Sequence, residues 1–181
     1  MTSAALGVGC ALVGGFAVSV RTEPRFTRDV DLVVAVDDDA GAEAFVHELL
    51  GRGHRVVANV EHEAIGRLAT SRLRLSGGDA VDLLFASSGI EHEIVADADP
   101  LEVLPGVVVP VARIGHLIAL KLLARDDDTR PQDFGDLLAL MAVASADDCD
   151  LAAVAVAQIH ERGYARGRDL RNDLRVLVKR T

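Results

Sequence analysis

Asp29 and Asp31 open the run DVDLVVAV (29–36), and their spacing is the first feature of the sequence that could do chemistry. On a strand, residues two apart project from one face, so both carboxylates share a side while Val30 and Leu32 take the other. Carboxylates held parallel repel each other unless a cation lies between them. A third acid, Asp82, stands in the apolar stretch VDLLF, where a buried carboxylate without a partner would cost on the order of several kcal/mol. If that strand lies beside 29–36, the three acids converge. Three oxygen donors at a strand edge suit Mg²⁺, which takes few carboxylates together with water and substrate phosphates. A pair of such ions would clamp an in-line phosphoryl displacement. The competing reading of Asp29 and Asp31 is an edge-strand ion pair with Arg25 or Arg28, and the pair alone leaves both open.

Gly14 and Gly15 complement the acids. They end the apolar run GCALVGG and open GFAVSVRT, a strand-to-helix turn whose backbone N–H groups could approach a polyphosphate at a helix N-terminus. There is no GK[ST], so this is not a Walker loop, and a lone Gly pair is equally a plain turn. The combination says more: strand, Gly-Gly, helix, thirteen intervening residues, then Asp-x-Asp opening a strand.

Lys121 is one of two lysines among nineteen basic residues, yet it sits in the apolar helix RIGHLIALKLLAR (113–125), in line with Ile114 and Ile118. An ammonium at the border of a buried stripe needs a partner. That partner is either a nucleotide phosphate or a carboxylate, Asp133 or Asp136, with the stem snorkelling. Asp133 and Asp136 are three apart after Pro131 and share a helix face; acids at a helix start are also stabilised by the dipole alone. Arg25 and Arg28 either bind phosphate or balance nearby acids. Asp37–Asp39 and Asp126–Asp128 lack EF-hand spacing and read as helix-start and loop acids. His116 and His160 read as surface or rim histidines.

Composition bounds the partners. With 28 acidic against 19 basic residues the chain carries −9, which opposes non-specific nucleic-acid binding. The stretch 161–181 nevertheless holds seven basic and three acidic residues, a balance of +4 at which a polyanion could dock. One Tyr, five Phe and no Trp offer few stacking platforms, so any nucleic acid is gripped by its phosphates rather than read by its bases. No apolar run is long enough to cross a bilayer and MTSAALGVGC has no basic n-region, so the expectation is a soluble cytoplasmic chain without a membrane partner. Cys10 and Cys149 are too few for a disulfide framework and read as buried thiols.

These side chains must be held by an α+β fold, a mixed sheet with flanking helices followed by a helical C-terminal subdomain. Strands are expected at 9–15, 29–36, 54–60, 67–75 and 80–86, the last two as a hairpin across SGGD. Helices are expected at 15–22, 40–53, 113–125, 131–144, 149–163 and 168–180. The division falls near residue 110: a catalytic core over 1–110 and the helical part over 111–181.

The segment LVGGFAVSVRTEPRFTRDVDLVV resembles the signature of the nucleotidyltransferase (DNA polymerase β-like) superfamily, hydrophobic-Gly-Gly followed by Asp-hydrophobic-Asp. PRFTRDVDL, VDLLF, LIALKLLAR and RPQDFGDLLAL are similar to the AbiEii/MenT group of bacterial toxins, so the likeness runs from about residue 9 to 142. It implies a nucleotidyltransferase-like sheet and transfer of NMP from NTP, with Mg²⁺ on Asp29 and Asp31. Gly14 and Gly15 would cradle the triphosphate, and Asp82 would bind a second ion or act as general base. Lys121, Asp133 and Asp136 match positions that hold nucleotide or assist catalysis, and Arg28 joins the nucleotide site. Many superfamily members have Gly-Ser where this chain has Gly14-Gly15, which leaves Ser19 as the nearest hydroxyl for phosphate. The toxin group further implies the 3′ end of tRNA as acceptor and a cognate antitoxin. The alternatives carried forward are the same chemistry on a small-molecule or protein hydroxyl, and a catalytically inactive antitoxin or regulatory module of the same fold.

Overall fold

The computed structural model describes residues 7–27, 29–63, 65–126 and 132–180. Along the chain come β1 (Cys10–Val13), α1 (Gly14–Arg21), β2 (Val30–Val34), α2 (Asp39–Gly51), β3 (Arg55–Glu61), β4 (Leu68–Arg74), β5 (Ala80–Leu84) and α3 (Glu91–Ala96). They are followed by β6 (Asp99–Leu104), β7 (Val107–Val111), α4 (Ile114–Ala124), α5 (Gln132–Val143), α6 (Ala146–Glu161) and α7 (Leu170–Val178). The strands form one mixed sheet in the order β3-β4-β5-β2-β1-β7-β6. β2 runs parallel to β5 and antiparallel to β1, while β4 is antiparallel to both β3 and β5. Among the described residues no helix is long and apolar enough to cross a membrane.

Alternation along the strands builds two cores. Val81 and Leu83 of β5 and Leu73 of β4 pack with Ala42, Phe45 and Leu49 of α2. The larger core joins β1 and α1 to α4, α5, α6 and α7. Asp38 caps α2 by accepting from the Gly41 N–H at 2.8 Å, so the acidic triplet is a helix start as expected.

Several expectations are corrected. The β6–β7 hairpin and α3 lie in a stretch given no elements from sequence, where Pro100, Pro105 and Pro110 interrupt the strand pattern. In the structure Pro100 lies on the edge strand β6 and pairs with Pro110 of β7, whose only registered partner on β1 is the neighbouring Val111. α6 starts three residues before the expected 149, because Ser145 and Asp148 form a capping box. His116 is buried, not on a rim: α4 packs against α1, α5, α6 and α7, leaving it little outer face. Burial lowers the His116 pKa, partly opposed by Asp97, whose carboxylate lies 3.9 Å away. Cys10 and Cys149 are half-buried rather than buried. Pro131, Asp127 and Asp128 lie outside the described residues.

Candidate active site

The sheet register brings the key acids together. Parallel pairing of β2 and β5 sets Asp31 directly beside Asp82, and antiparallel pairing of β1 sets Val13 opposite Asp31. Neighbouring residues in register point to the same side of a sheet. Since Val81 and Leu83 face α2, Asp82 is turned to the other face, together with Asp31. From Val13 the chain passes into Gly14, which adopts φ +66°, and α1 begins there. The Asp31 carboxylate lies so close over Gly14 that a Cβ at that position would overlap it, standing 2.7 Å from its Cγ. Gly14 is therefore required twice, for its backbone conformation and for the space its missing side chain leaves.

These residues edge a cavity of about 840 Å³ whose polar lining includes Gly14, Gly15, Asp31, Asp82, Lys121 and Asp133. Its floor is the face of β3, β4 and β5 that carries Ala58, Val60, Thr70 and Leu84, and its far wall is α4.

Asp29 precedes β2 and is exposed. It pairs with neither Arg25 nor the cavity acids. Arg72, opposite Asp82 on β4, donates from Nη2 to Asp29 Oδ1 at 2.8 Å, and its Nε lies 3.1 Å from Asp82 Oδ1 in an ion pair too poorly aligned to be a hydrogen bond. Among the described residues no three His, Cys, Asp or Glu side chains stand close enough together to hold a metal ion. The donor set still fits a hard divalent cation: carboxylate oxygens on adjoining strands, with a guanidinium in the position of a positive charge between two of them.

A second charged cluster lies behind the cavity wall. Asp136 receives Arg25 in a fork, Nε to Oδ1 at 2.6 Å and Nη2 to Oδ2 at 2.7 Å. Lys121 Nζ lies 2.7 Å from both Asp133 Oδ1 and Asp136 Oδ2. The Asp136 side chain is 2% exposed and that of Lys121 12%, so burial has been offset by pairing. The carboxylate partners weighed for Lys121 are thus both present, while Lys121 also reaches the cavity. The second oxygen of Asp133, Oδ2, is buried without a hydrogen-bond partner among the described residues.

Ser19, expected near phosphate, is buried on α1. Its hydroxyl lies 3.1 Å from the Gly15 carbonyl and 3.3 Å from the Arg25 carbonyl, and it accepts the Arg25 N–H at 3.4 Å. It ties the segment after α1 back onto the helix and is not among the cavity-lining residues. Arg28 lies outside the described residues.

Sequence reasoning missed Arg72, His62 and Arg166, all on the cavity wall. His62 is buried against Tyr164, ring centroids 4.9 Å apart, and among the described residues neither of its nitrogens has a hydrogen-bond partner. Burial raises the Tyr164 pKa. Arg166 donates to the Ser87 carbonyl at 3.0 Å from the left-handed backbone region, φ 53°. Period-two spacing could have found His62, which continues the Ala58, Val60 face past the end of β3. Arg166 carries no such local signal.

The fold is shared with known proteins. A nucleotidyltransferase-like antigenic protein from Paracoccidioides brasiliensis superposes with TM-score 0.53 at 18% identity, covering 97% of this chain and 86% of its own. ANT(2")-Ia in complex with adenylyl-2"-tobramycin gives TM-score 0.53 at 18% identity, covering 88% of this chain and 91% of its own. No curated protein sequence matches this one. The family described as nucleotidyl transferase AbiEii toxin, type IV toxin–antitoxin system, matches residues 2–179. Nearly the whole chain is thereby accounted for, the paired aspartates and the glycine turn included: it is a nucleotidyltransferase and belongs to the AbiEii toxin family.

Proposed function

We propose that this protein transfers NMP from an NTP to the 3′ end of tRNA in a Mg²⁺-dependent reaction in the cytoplasm, and that a cognate antitoxin counters it. The observation that carries the transferase site is the register of Asp31 beside Asp82 with Gly14 packed under the Asp31 carboxylate. Asp29, Asp31 and Asp82 would hold divalent ions, whose charge polarises the α-phosphate and acidifies the attacking hydroxyl. The Gly14-Gly15 turn offers backbone N–H groups at the α1 N-terminus to the triphosphate. Lys121 offsets the charge that gathers on the leaving pyrophosphate. Asp82 takes the hydroxyl proton as the new O–P bond forms on the α-phosphorus and the bond to the β-phosphate breaks. Asp133 and Asp136 hold Lys121 in place. The tRNA acceptor is supported by the toxin family and by Arg171, Arg175, Lys179 and Arg180, which α7 and its end leave exposed to a phosphate backbone.

Incubation with labelled NTPs, Mg²⁺ and total tRNA tests this reading. Label should pass to tRNA with the wild-type protein and not with Asp31→Ala; transfer that survives Asp31→Ala, or no transfer at all, overturns it.

A second reading is transfer to a small hydroxyl compound, favoured by the shared fold with ANT(2")-Ia and by the net charge of −9, which would attract a cationic substrate. Acceptor binding that strengthens as the acceptor gains positive charge would support it. A tRNA acceptor, whose contacts release counterions, binds more weakly as salt rises. An inactive regulatory module of the same fold would bind nucleotide with no metal-dependent gain, and the presence of Asp29, Asp31 and Asp82 weighs against it.

A further inference from the structure

We infer that Arg72 is a resident counter-ion that a divalent cation must displace from Asp29 and Asp82, and that the freed guanidinium then binds a substrate phosphate. The inference rests on reading those carboxylates as cation ligands. Arg72 stands on β4 directly opposite Asp82, and with one guanidinium it reaches Asp29 at 2.8 Å and Asp82 at 3.1 Å. It thus bridges two of the acids that a metal would bridge. A guanidinium and a hard divalent ion compete for the same carboxylate charge and, at Oδ1 of each acid, for the same lone pairs, so binding of one weakens the contacts of the other.

Two features make the exchange feasible. The Arg72 side chain is 41% exposed, so its ion pairs are screened and weak, and the contact with Asp82 lacks hydrogen-bond alignment. Arg72 also lines the cavity beside Asp31, Asp82 and Lys121, so once displaced it stays within the space where phosphates must lie. A planar guanidinium presents paired N–H donors that match phosphate oxygens. The source of that phosphate is either the NTP or the backbone of the acceptor's 3′ end, and both offer the same chemistry.

The test uses Mn²⁺ as the probe ion, with free Mn²⁺ followed by electron paramagnetic resonance in titrations of the wild-type protein, Arg72→Ala and Arg72→Gln without nucleotide. Both variants should bind Mn²⁺ roughly two- to thirtyfold more tightly, the range expected when two screened ion pairs no longer compete. In saturating Mn²⁺, a non-hydrolysable NTP analogue and a short single-stranded RNA with a free 3′ hydroxyl are then titrated separately. Loss of about tenfold in affinity for one of them in both variants identifies the phosphate that Arg72 grips. Arg72→Gln retains most of the side-chain volume, which guards against a fold defect in Arg72→Ala. Unchanged or weaker Mn²⁺ binding in the variants, or unchanged affinity for both phosphate ligands, overturns the inference. Absence of Mn²⁺ binding in the wild-type protein overturns the reading of the carboxylates as well, whereas equal binding by wild type and variants overturns the role of Arg72 alone.

Discussion

Substituting Gly14 by Ala separates backbone strain from site geometry. Gly14 has φ +66°, where an Ala costs about 1–2 kcal/mol. For a domain of this size that lowers Tm by roughly 2–8 °C. The added Cβ also overlaps the Asp31 carboxylate and stands 2.7 Å from its Cγ, so the carboxylate has to leave its place beside Asp82. A displacement of a reacting group by about 1 Å costs on the order of a hundredfold in rate. Gly106, in the β6–β7 turn, supplies the control: its φ is +75° and a Cβ there meets nothing within 4 Å. Gly14→Ala should therefore lose at least as much Tm as Gly106→Ala in thermal melts, the backbone strain being common to both. Only Gly14→Ala should lose about two orders of magnitude in kcat/KM for label transfer from NTP. Transfer by Gly14→Ala within about threefold of Gly106→Ala would refute the placement of Asp31 as the functional carboxylate.

Asp136→Asn should destabilise the fold by about 2–3 kcal/mol in urea unfolding, because Lys121 and Arg25 would lose the charge of a carboxylate that is 2% exposed. Arg25→Ala should cost less, since Arg25 is itself one-third exposed. For His116, burial lowers the folded-state pKa below its ordinary value of 6.5, so the unfolded chain binds the proton first as pH falls. The stability that neutral His116 contributes is whole above pH 6.5 and is lost as pH falls below it; wild type should weaken from pH 7.5 to 5.5 more steeply than His116→Gln, and equal slopes would contradict this. Ser145→Ala removes half of the α6 capping box and should lower stability by about 1 kcal/mol, with nucleotide transfer unchanged.

What was legible in the sequence is what depends on short-range periodicity. The apolar run around Asp82 was readable as a strand, and the Gly14-Gly15 turn as the end of a strand and the start of a helix. The convergence of Asp31 and Asp82 required one further condition, that β2 and β5 be neighbours, which no local pattern dictates; parallel pairing supplied it. Arg72 escaped notice because alternating Arg72 and Arg74 in a hairpin strand look like a solvated face, and only the nonlocal register sets Arg72 across from Asp82. Ser19 looked available because it is one turn from the glycines, but a helical serine can bond the carbonyl four residues back, and it does. His116 was misplaced for a related reason. The amphipathic reading assumes a helix with one wet face, and α4 is enclosed by four other helices.

The charges already within the site set a condition on how nucleotide enters it. Asp29, Asp31, Glu61, Glu63, Asp82, Asp133 and Asp136 stand against Arg25, Arg72, Lys121 and Arg166, a balance of −3, and Arg25, Arg72 and Lys121 are engaged by carboxylates. A triphosphate arriving alone would add negative charge to negative charge and would meet a Lys121 whose charge is already shared with Asp133 and Asp136. Coulomb repulsion between unit charges 4 Å apart ranges from about 1 kcal/mol in bulk water to about 4 kcal/mol at the effective dielectric of a protein surface. Nucleotide should accordingly bind roughly fivefold to a thousandfold more weakly in EDTA than with Mg²⁺. Asp29→Asn separates this from a fold defect, since Asp29 is exposed and borders the site. The variant removes one negative charge, so it should strengthen binding in EDTA by a few-fold while weakening binding with Mg²⁺. Opposite signs in the two titrations follow only if that carboxylate repels the phosphates when bare and attracts them through an ion when loaded; changes of the same sign would contradict the assignment of Asp29 to the cation site.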